Sequence, residues 1–192
     1  MRPAAVLACF ALLLFPMAAS ATGEIESLIT EADRDRLAGF DAAREEALAE
    51  ARKEGAAADI AVVDEIQARP LLSFSDFNLT GDWQCRTIKL GGPAPLVIYP
   101  WFRCRVTDDG SGWKLEKISG SQRTAGRFFD ESDISLTYLG SFFIGGEAPR
   151  AYGAGKDTDQ VGRALRDGNE RWRIEFPRPR YESKFDILEF RR

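Results

Sequence analysis

The chain has 192 residues, 30 acidic and 26 basic, a formal net charge of −4 and no histidine. The missing histidine excludes Ser-His-Asp and Cys-His nucleophilic catalysis and the usual His-ligated metal and haem sites. The size suits one domain with an appendage, and so small a net charge gives no argument for nucleic acid.

Residues 1–21 read as an export signal. Arg2 supplies the positive start, Ala4 to Phe15 form a short apolar run, Pro16 breaks it, and Ala19-Ser20-Ala21 is an A-x-A cleavage site. The run is shorter than the roughly 20 residues a membrane-spanning helix needs. Val6-Leu7-Ala8-Cys9 is similar to a lipoprotein box, but Cys9 precedes most of the apolar run. No other stretch is apolar enough to span a bilayer. Cleavage after Ala21 would leave 171 residues and two cysteines, Cys85 and Cys104, in a periplasmic or secreted setting.

Residues 22–70 are expected to form a helical hairpin, an acidic arm. From Glu24 to Arg69 there are 13 acidic and 6 basic residues. Thr30 followed by Asp33 resembles a capping box, and Leu37, Phe40, Ala47, Leu48 and Ala51 form a narrow apolar stripe. Gly55 ends the first helix. A second carries Ile60, Val63 and Ile66 or Gln67 on one side and stops at Arg69-Pro70. The stripe has to be covered, so the arm is expected to dock.

Residues 71–192 change texture, with 19 basic against 17 acidic residues. Short aromatic and β-branched segments recur with turn signals between them. Strands are expected near Trp83–Leu90, Leu96–Thr107, Trp113–Ile118, Arg123–Phe129, Ile134–Leu139, Ser141–Ile144, Arg150–Gly153, Val161–Arg166, Arg171–Phe176 and Lys184–Phe190. Such spacing implies a mainly β, antiparallel barrel-like or sandwich domain.

Trp83-Gln84-Cys85-Arg86 is echoed by Phe102-Arg103-Cys104-Arg105. If the two phrases form an antiparallel pair with Cys85 facing Cys104, then Trp83 faces Val106 and Thr87 faces Phe102. Trp83, Cys85, Thr87, Phe102, Cys104 and Val106 then share a core face. Gln84, Arg86, Ile88, Trp101, Arg103 and Arg105 share the other. A redox-active pair usually has C-x-x-C spacing, and zinc would need further ligands. A structural disulfide is the better reading, and its 19-residue loop would stabilise the fold by about 3 kcal/mol.

Other chemistry is thinly supported. Asp130, Glu131 and Asp133 are the one acid cluster, in an apparent turn. Asp157 and Asp159 look like a fragment of a calcium loop whose remaining ligands are missing. No cofactor or metal site is expected. In "RWRIEFPRPRY", Arg171 and Arg173 fall on one strand face and Trp172, Ile174 and Phe176 on the other. Together with Arg86, Trp101, Arg103 and Arg105 these arginines form a candidate interaction surface for an anionic surface or an acidic envelope partner.

Gly81-Asp82-Trp83, after a helical lead-in and Phe77, resembles the G-x-W opening of lipocalins and related calycin barrels. That resemblance implies a barrel closed at its base by Trp83 and an interior suited to a small apolar ligand, although the lipocalin T-D-Y motif is absent. "GDWQCRTIK", "YPWFRCRV", "GSQRTAGRFF", "RAYG" and "ERWRIEFPRPRYESKFDILEF" are similar to a family of small exported bacterial proteins of unknown function. With no histidine and no nucleophile or cofactor motif, the expected function is non-catalytic. A protein-interaction or inhibitor-type envelope module comes first, then a carrier of a small apolar ligand, with a carboxylate hydrolase distant. A barrel filled by its own side chains is the default.

Overall fold

In the computed structural model, which describes residues 22–192, the arm is four helices. They are α1 (Thr22–Leu28), α2 (Glu31–Ala38), α3 (Phe40–Glu54) and α4 (Ala57–Ala68). The export signal and Cys9 lie outside the described residues. The expected hairpin ends at Gly55 and Arg69 as α3 and α4, with its first helix broken at Gly39 and a further short helix before Thr30. Thr30 caps α2, its Oγ1 accepting from the Asp33 amide at 3.3 Å. Gly39 parts α2 from α3, and Gly55 closes α3, its amide donating to Ala51 O at 2.7 Å.

Nine strands follow: β1 (Gly81–Leu90), β2 (Leu96–Ile98), β3 (Phe102–Asp108), β4 (Trp113–Lys117), β5 (Gln122–Ser132), β6 (Ser135–Ile144), β7 (Asp159–Arg166), β8 (Arg171–Pro177) and β9 (Phe185–Arg191). All pairings are antiparallel. β1, β3, β4, β5, β6, β7, β8 and β9 run in order, and β9 returns to β1 to close an eight-stranded barrel. The short β2 adds to the free end of β1. Closure leaves the eight-stranded ring without an open edge.

Four strand expectations are corrected. Leu96–Thr107 is two strands, because Pro100 cannot donate to a ladder. Ile134–Leu139 and Ser141–Ile144 are one strand, β6, running through Gly140, and β5 reaches Ser132. Arg150–Gly153 is irregular chain within the β6–β7 connection. The hairpin register also differs by two residues, since Trp83 faces Cys104 and Cys85 faces Phe102. Ile88 faces Ile98, so the β2–β3 side carries one more residue than β1 in this interval, a bulge at Tyr99–Trp101. A shift of two preserves the faces, so the cysteines meet diagonally on the interior side, Cα atoms 5.9 Å apart, and are disulfide-bonded.

The base of the barrel is filled. Trp83 is buried there, its Nε1 donating to Leu79 O at 2.7 Å, with the Arg192 guanidinium 3.9 Å from its ring centre. Aromatic contacts run inward from Phe77 through Trp83, Trp172 and Phe128 to Tyr138. Phe74, Phe77 and Leu79 cover the end. Gly126 and Gly140 face each other across β5 and β6 and leave room for the Tyr138 ring, which a Cβ at Gly126 would meet at 2.7 Å.

The arm docks on the outside of β1, β8 and β9. Phe40, Ala43, Ala47 and Ala51 of α3 and Val63 and Ile66 of α4 bury against Ile88, Leu90, Phe185 and Ile187. Alanines on α3 allow close approach, and Leu37 and Leu48 are partly buried beside them. Beyond the apolar seam lies a buried ionic cluster. Glu189 pairs with Arg69 at 2.8 Å and Arg86 at 2.7 Å, while Arg173 pairs with Asp167 at 2.8 Å and Glu175 at 2.7 Å. Three arginines thus meet three carboxylates, and Gln67 of α4 donates to Glu175 at 3.2 Å.

Candidate functional site

The open end of the barrel is built differently from its base. Alternation along β1 turns Trp83, Cys85, Thr87 and Lys89 inward, so the stripe that starts as core ends in a lysine. Lys117 of β4 points inward for the same reason, following Trp113 and Leu115. Gln122 and Thr124 of β5, Gln160 of β7 and Asp186 of β9 complete a polar ring. Its floor is Tyr138, whose hydroxyl lies 2.7 Å from that of Thr124. Thr124 in turn donates to Gln160 Oε1 at 2.6 Å. The ring encloses two connected hollows. One of about 180 Å³ lies toward Tyr99 and Phe102, and one of about 60 Å³ lies toward Phe142, Phe176 and Leu188. Both touch Thr87, Lys89, Lys117 and Gln122.

Both lysines are buried, at 6% exposure for Lys89 and 5% for Lys117, but only Lys89 is neutralised. Its Nζ lies 3.2 Å from Glu182 and 4.0 Å from Asp186 and donates to Tyr181 O at 3.4 Å. Lys117 Nζ sits 4.6 Å from the centre of the Phe102 ring; among the described residues nothing hydrogen-bonds or ion-pairs with it. Burial pushes the Lys117 amine down to about 8, helped by the cations of Lys89 and Arg123 and opposed by Asp186. Burial likewise pushes the Asp186 carboxyl up to about 6, against the pull of Lys89 and the hydrogen bond from Ser183 Oγ. A hydrogen bond from Gln122, then Lys89, holds Glu182 below the usual carboxylate range.

The expected interaction residues are divided by the structure. Arg103, Gln84, Arg191 and Arg171 are lateral neighbours across β3, β1, β9 and β8, all exposed on the outer face. Trp101, half-buried at the bulge, has the Arg191 guanidinium 4.0 Å and the Arg86 guanidinium 4.6 Å from its ring centre. Arg105 pairs with Asp82 at 2.7 Å. Arg173 is the correction. At 3% exposure under the end of α4 it belongs to the buried ionic cluster, so the row it was expected to share with Arg171 is not solvated throughout. Arg191, missed from the sequence, takes its place.

Of the acids named from the sequence, Asp157 and Asp159 line the smaller hollow together with Asp186. Glu131 pairs with Arg163 at 2.9 Å, Asp157 with Arg180 at 2.8 Å, and Asp159 accepts from the Gly153 amide at 3.0 Å. Lys89 and Lys117 were also missed, although the hairpin's alternation already put Lys89 in line with Cys85 and Thr87.

The molecule is thus an antiparallel barrel with a packed base, a polar mouth and a docked helical arm. The chain belongs to the family described as a domain of unknown function, DUF4893, whose family model matches residues 26–190. No curated protein and no solved structure matches the chain.

Proposed function

We propose that this protein is an exported, non-catalytic binding barrel that takes a small molecule into the cup at its open end. The observation that carries the reading is Lys117: a largely buried side chain whose ammonium, among the described residues, has no ion-pair partner and faces a hollow at the open end of the barrel. A buried charge costs stability unless it is paired, which makes such a group a candidate ligand anchor. The polar walls do not suit the wholly apolar ligand that the lipocalin resemblance implied. Export is supported by the residue 1–21 pattern and by the Cys85–Cys104 disulfide, which fits an oxidising compartment. Among the described residues no helix is long and apolar enough to cross a membrane. A non-catalytic role is supported by the absence of histidine.

The test is a fragment screen read by amide chemical shifts. Binding should perturb Thr87, Lys117 and Gln122, and Thr87→Phe, which fills the hollow, should abolish the response. Shifts scattered over the outer face, or unchanged binding by Thr87→Phe, would refute the reading.

A second reading, as a module docking an acidic envelope partner, is favoured by the exposed row of Arg103, Arg191 and Arg171 beside Trp101. Among the described residues Arg103 and Arg171 have no ion-pair partner. Trp101→Ala with Arg103→Glu should release a partner captured from an envelope extract, and retention of every captured protein would remove the idea.

A further inference from the structure

The two lysines and the two kinds of wall around them specify more than a generic small molecule. Charge comes first. Lys89 is already matched by Glu182 and Asp186, and Arg123, which lines the smaller hollow, donates to Gly120 O; among the described residues the Lys117 ammonium has no ion pair. A ligand with a single negative charge would balance it. A doubly charged group such as a phosphate monoester would instead meet the carboxylates of Glu182 and Asp186 on the same ring.

Shape comes second. The larger hollow, about 180 Å³, places Lys117 at the junction of a polar wall and an aromatic one. Thr87 and Gln122 stand on one side, Tyr99 and Phe102 on the other. Room there suits a body of about one aromatic ring lying against Phe102, with its charged end on the ammonium. The smaller hollow, about 60 Å³, adds Phe142, Phe176 and Leu188 among polar and charged neighbours that include Arg123, Asp159 and Asp186. An unpaired cation beside an aromatic wall recognises an amphipathic anion, because burial of the ring and neutralisation of the charge reinforce each other in a partly closed site.

We propose that the cup binds a small monocarboxylate with an aromatic or compact apolar body, the carboxylate on Lys117 Nζ and the body against Phe102 and Tyr99. This rests on the binding reading above and adds the ligand's chemical class. Lys117 positions the anion, Thr87 and Gln122 border it, and Lys89 adds to the positive potential while remaining tied to Glu182.

The experiment is isothermal titration at pH 7 of the full mature chain with benzoate and with benzamide, its neutral counterpart of nearly equal shape. Benzoate should bind at least tenfold more tightly than benzamide. Lys117→Met and Lys117→Gln should each remove that preference, whereas Lys114→Met, on the outward side of the same strand, should leave it intact. Removing a buried unpaired charge is not expected to unfold the barrel, and near-ultraviolet circular dichroism confirms native packing before titration. Equal binding of the two compounds, or a preference surviving in both Lys117 variants, would overturn the ligand class while leaving the cup as a binding site. If neither compound binds and the fragment screen finds nothing in the cup, the binding reading falls with it.

Discussion

Replacing Lys117 by methionine should make the protein more stable, not less. The side chain is 5% exposed and holds its proton in a site that pushes its pKa from the ordinary 10.5 down to about 8. Between those two values the unfolded chain binds a proton that the folded chain has lost, so stability rises with pH across that window. Below pH 8 both states are protonated and the folded state bears the full cost of the buried charge. At about 1.36 kcal/mol per pH unit that cost is about 3 kcal/mol at pH 7, falling below about 1 kcal/mol at pH 10. Methionine removes the charge and keeps an unbranched chain over the Phe102 ring. Urea denaturation of the two proteins at both pH values gives the answer. Lys117→Met should gain up to about 3 kcal/mol at pH 7, and most of the gain should vanish by pH 10. A variant no more stable than the parent at pH 7, or equally stabilised at both pH values, would refute the assignment of a costly buried ammonium.

On the acid side Asp186 acts in the opposite direction. Its folded-state pKa, raised to about 6, means that the stability it contributes is complete below about 3.8 and is lost as pH rises through 6. Asp186→Asn should therefore flatten the stability profile between pH 4 and 6, measured by thermal melts. Glu189, 2% exposed, bridges Arg69 of the arm and Arg86 of the barrel. Glu189→Gln should cost about 3 kcal/mol in urea denaturation because it takes the ion-pair partner from Arg86, while Arg69 keeps Glu65 at 3.1 Å and Asp167 at 3.6 Å, and a loss under about 1 kcal/mol would mean the cluster does not hold the arm. Replacing Cys85 and Cys104 together by serine should lower stability by about 3 kcal/mol, from the 19-residue loop. Gly140→Ala should destabilise by about 1–3 kcal/mol, because its methyl would meet the Tyr138 ring carbon at 2.5 Å; an unchanged melting temperature would contradict the tight packing at the cup's floor.

Much of the fold was legible because its signals are local. Alternation placed Trp172, Ile174 and Phe176 inward, turn residues separated most strands, and the alanine-rich stripe from Phe40 to Ala51 foretold a face that had to be covered. The register was not legible, since a bridged cysteine pair can stand directly opposite or diagonally two residues off, and both arrangements leave every residue on the same face. Arg173 was misread for a related reason. Alternation gives the side of the sheet, not what lies over that side, and here it is Arg69 and Gln67 at the end of α4. Half of the candidate site was present in the pattern. Lys89 follows Trp83, Cys85 and Thr87, and Lys117 follows Trp113 and Leu115, each a charge at a position whose neighbours are core. Such a conflict between residue and position is where a functional group is to be sought. What no single strand could reveal is that β1, β4 and β9 bring Lys89, Lys117 and Asp186 around one hollow, because that depends on barrel closure through β1 and β9.

The most direct measurement is the titration of the Lys117 amine itself, followed by the ¹³Cε shift in protein labelled at lysine and assigned with Lys117→Met, with and without saturating benzoate. The expected midpoint is near 8 in the free protein, moving upward when the carboxylate occupies the cup. A midpoint at the ordinary 10.5, or one that benzoate leaves in place, would contradict a buried, unpartnered ammonium waiting for an anion.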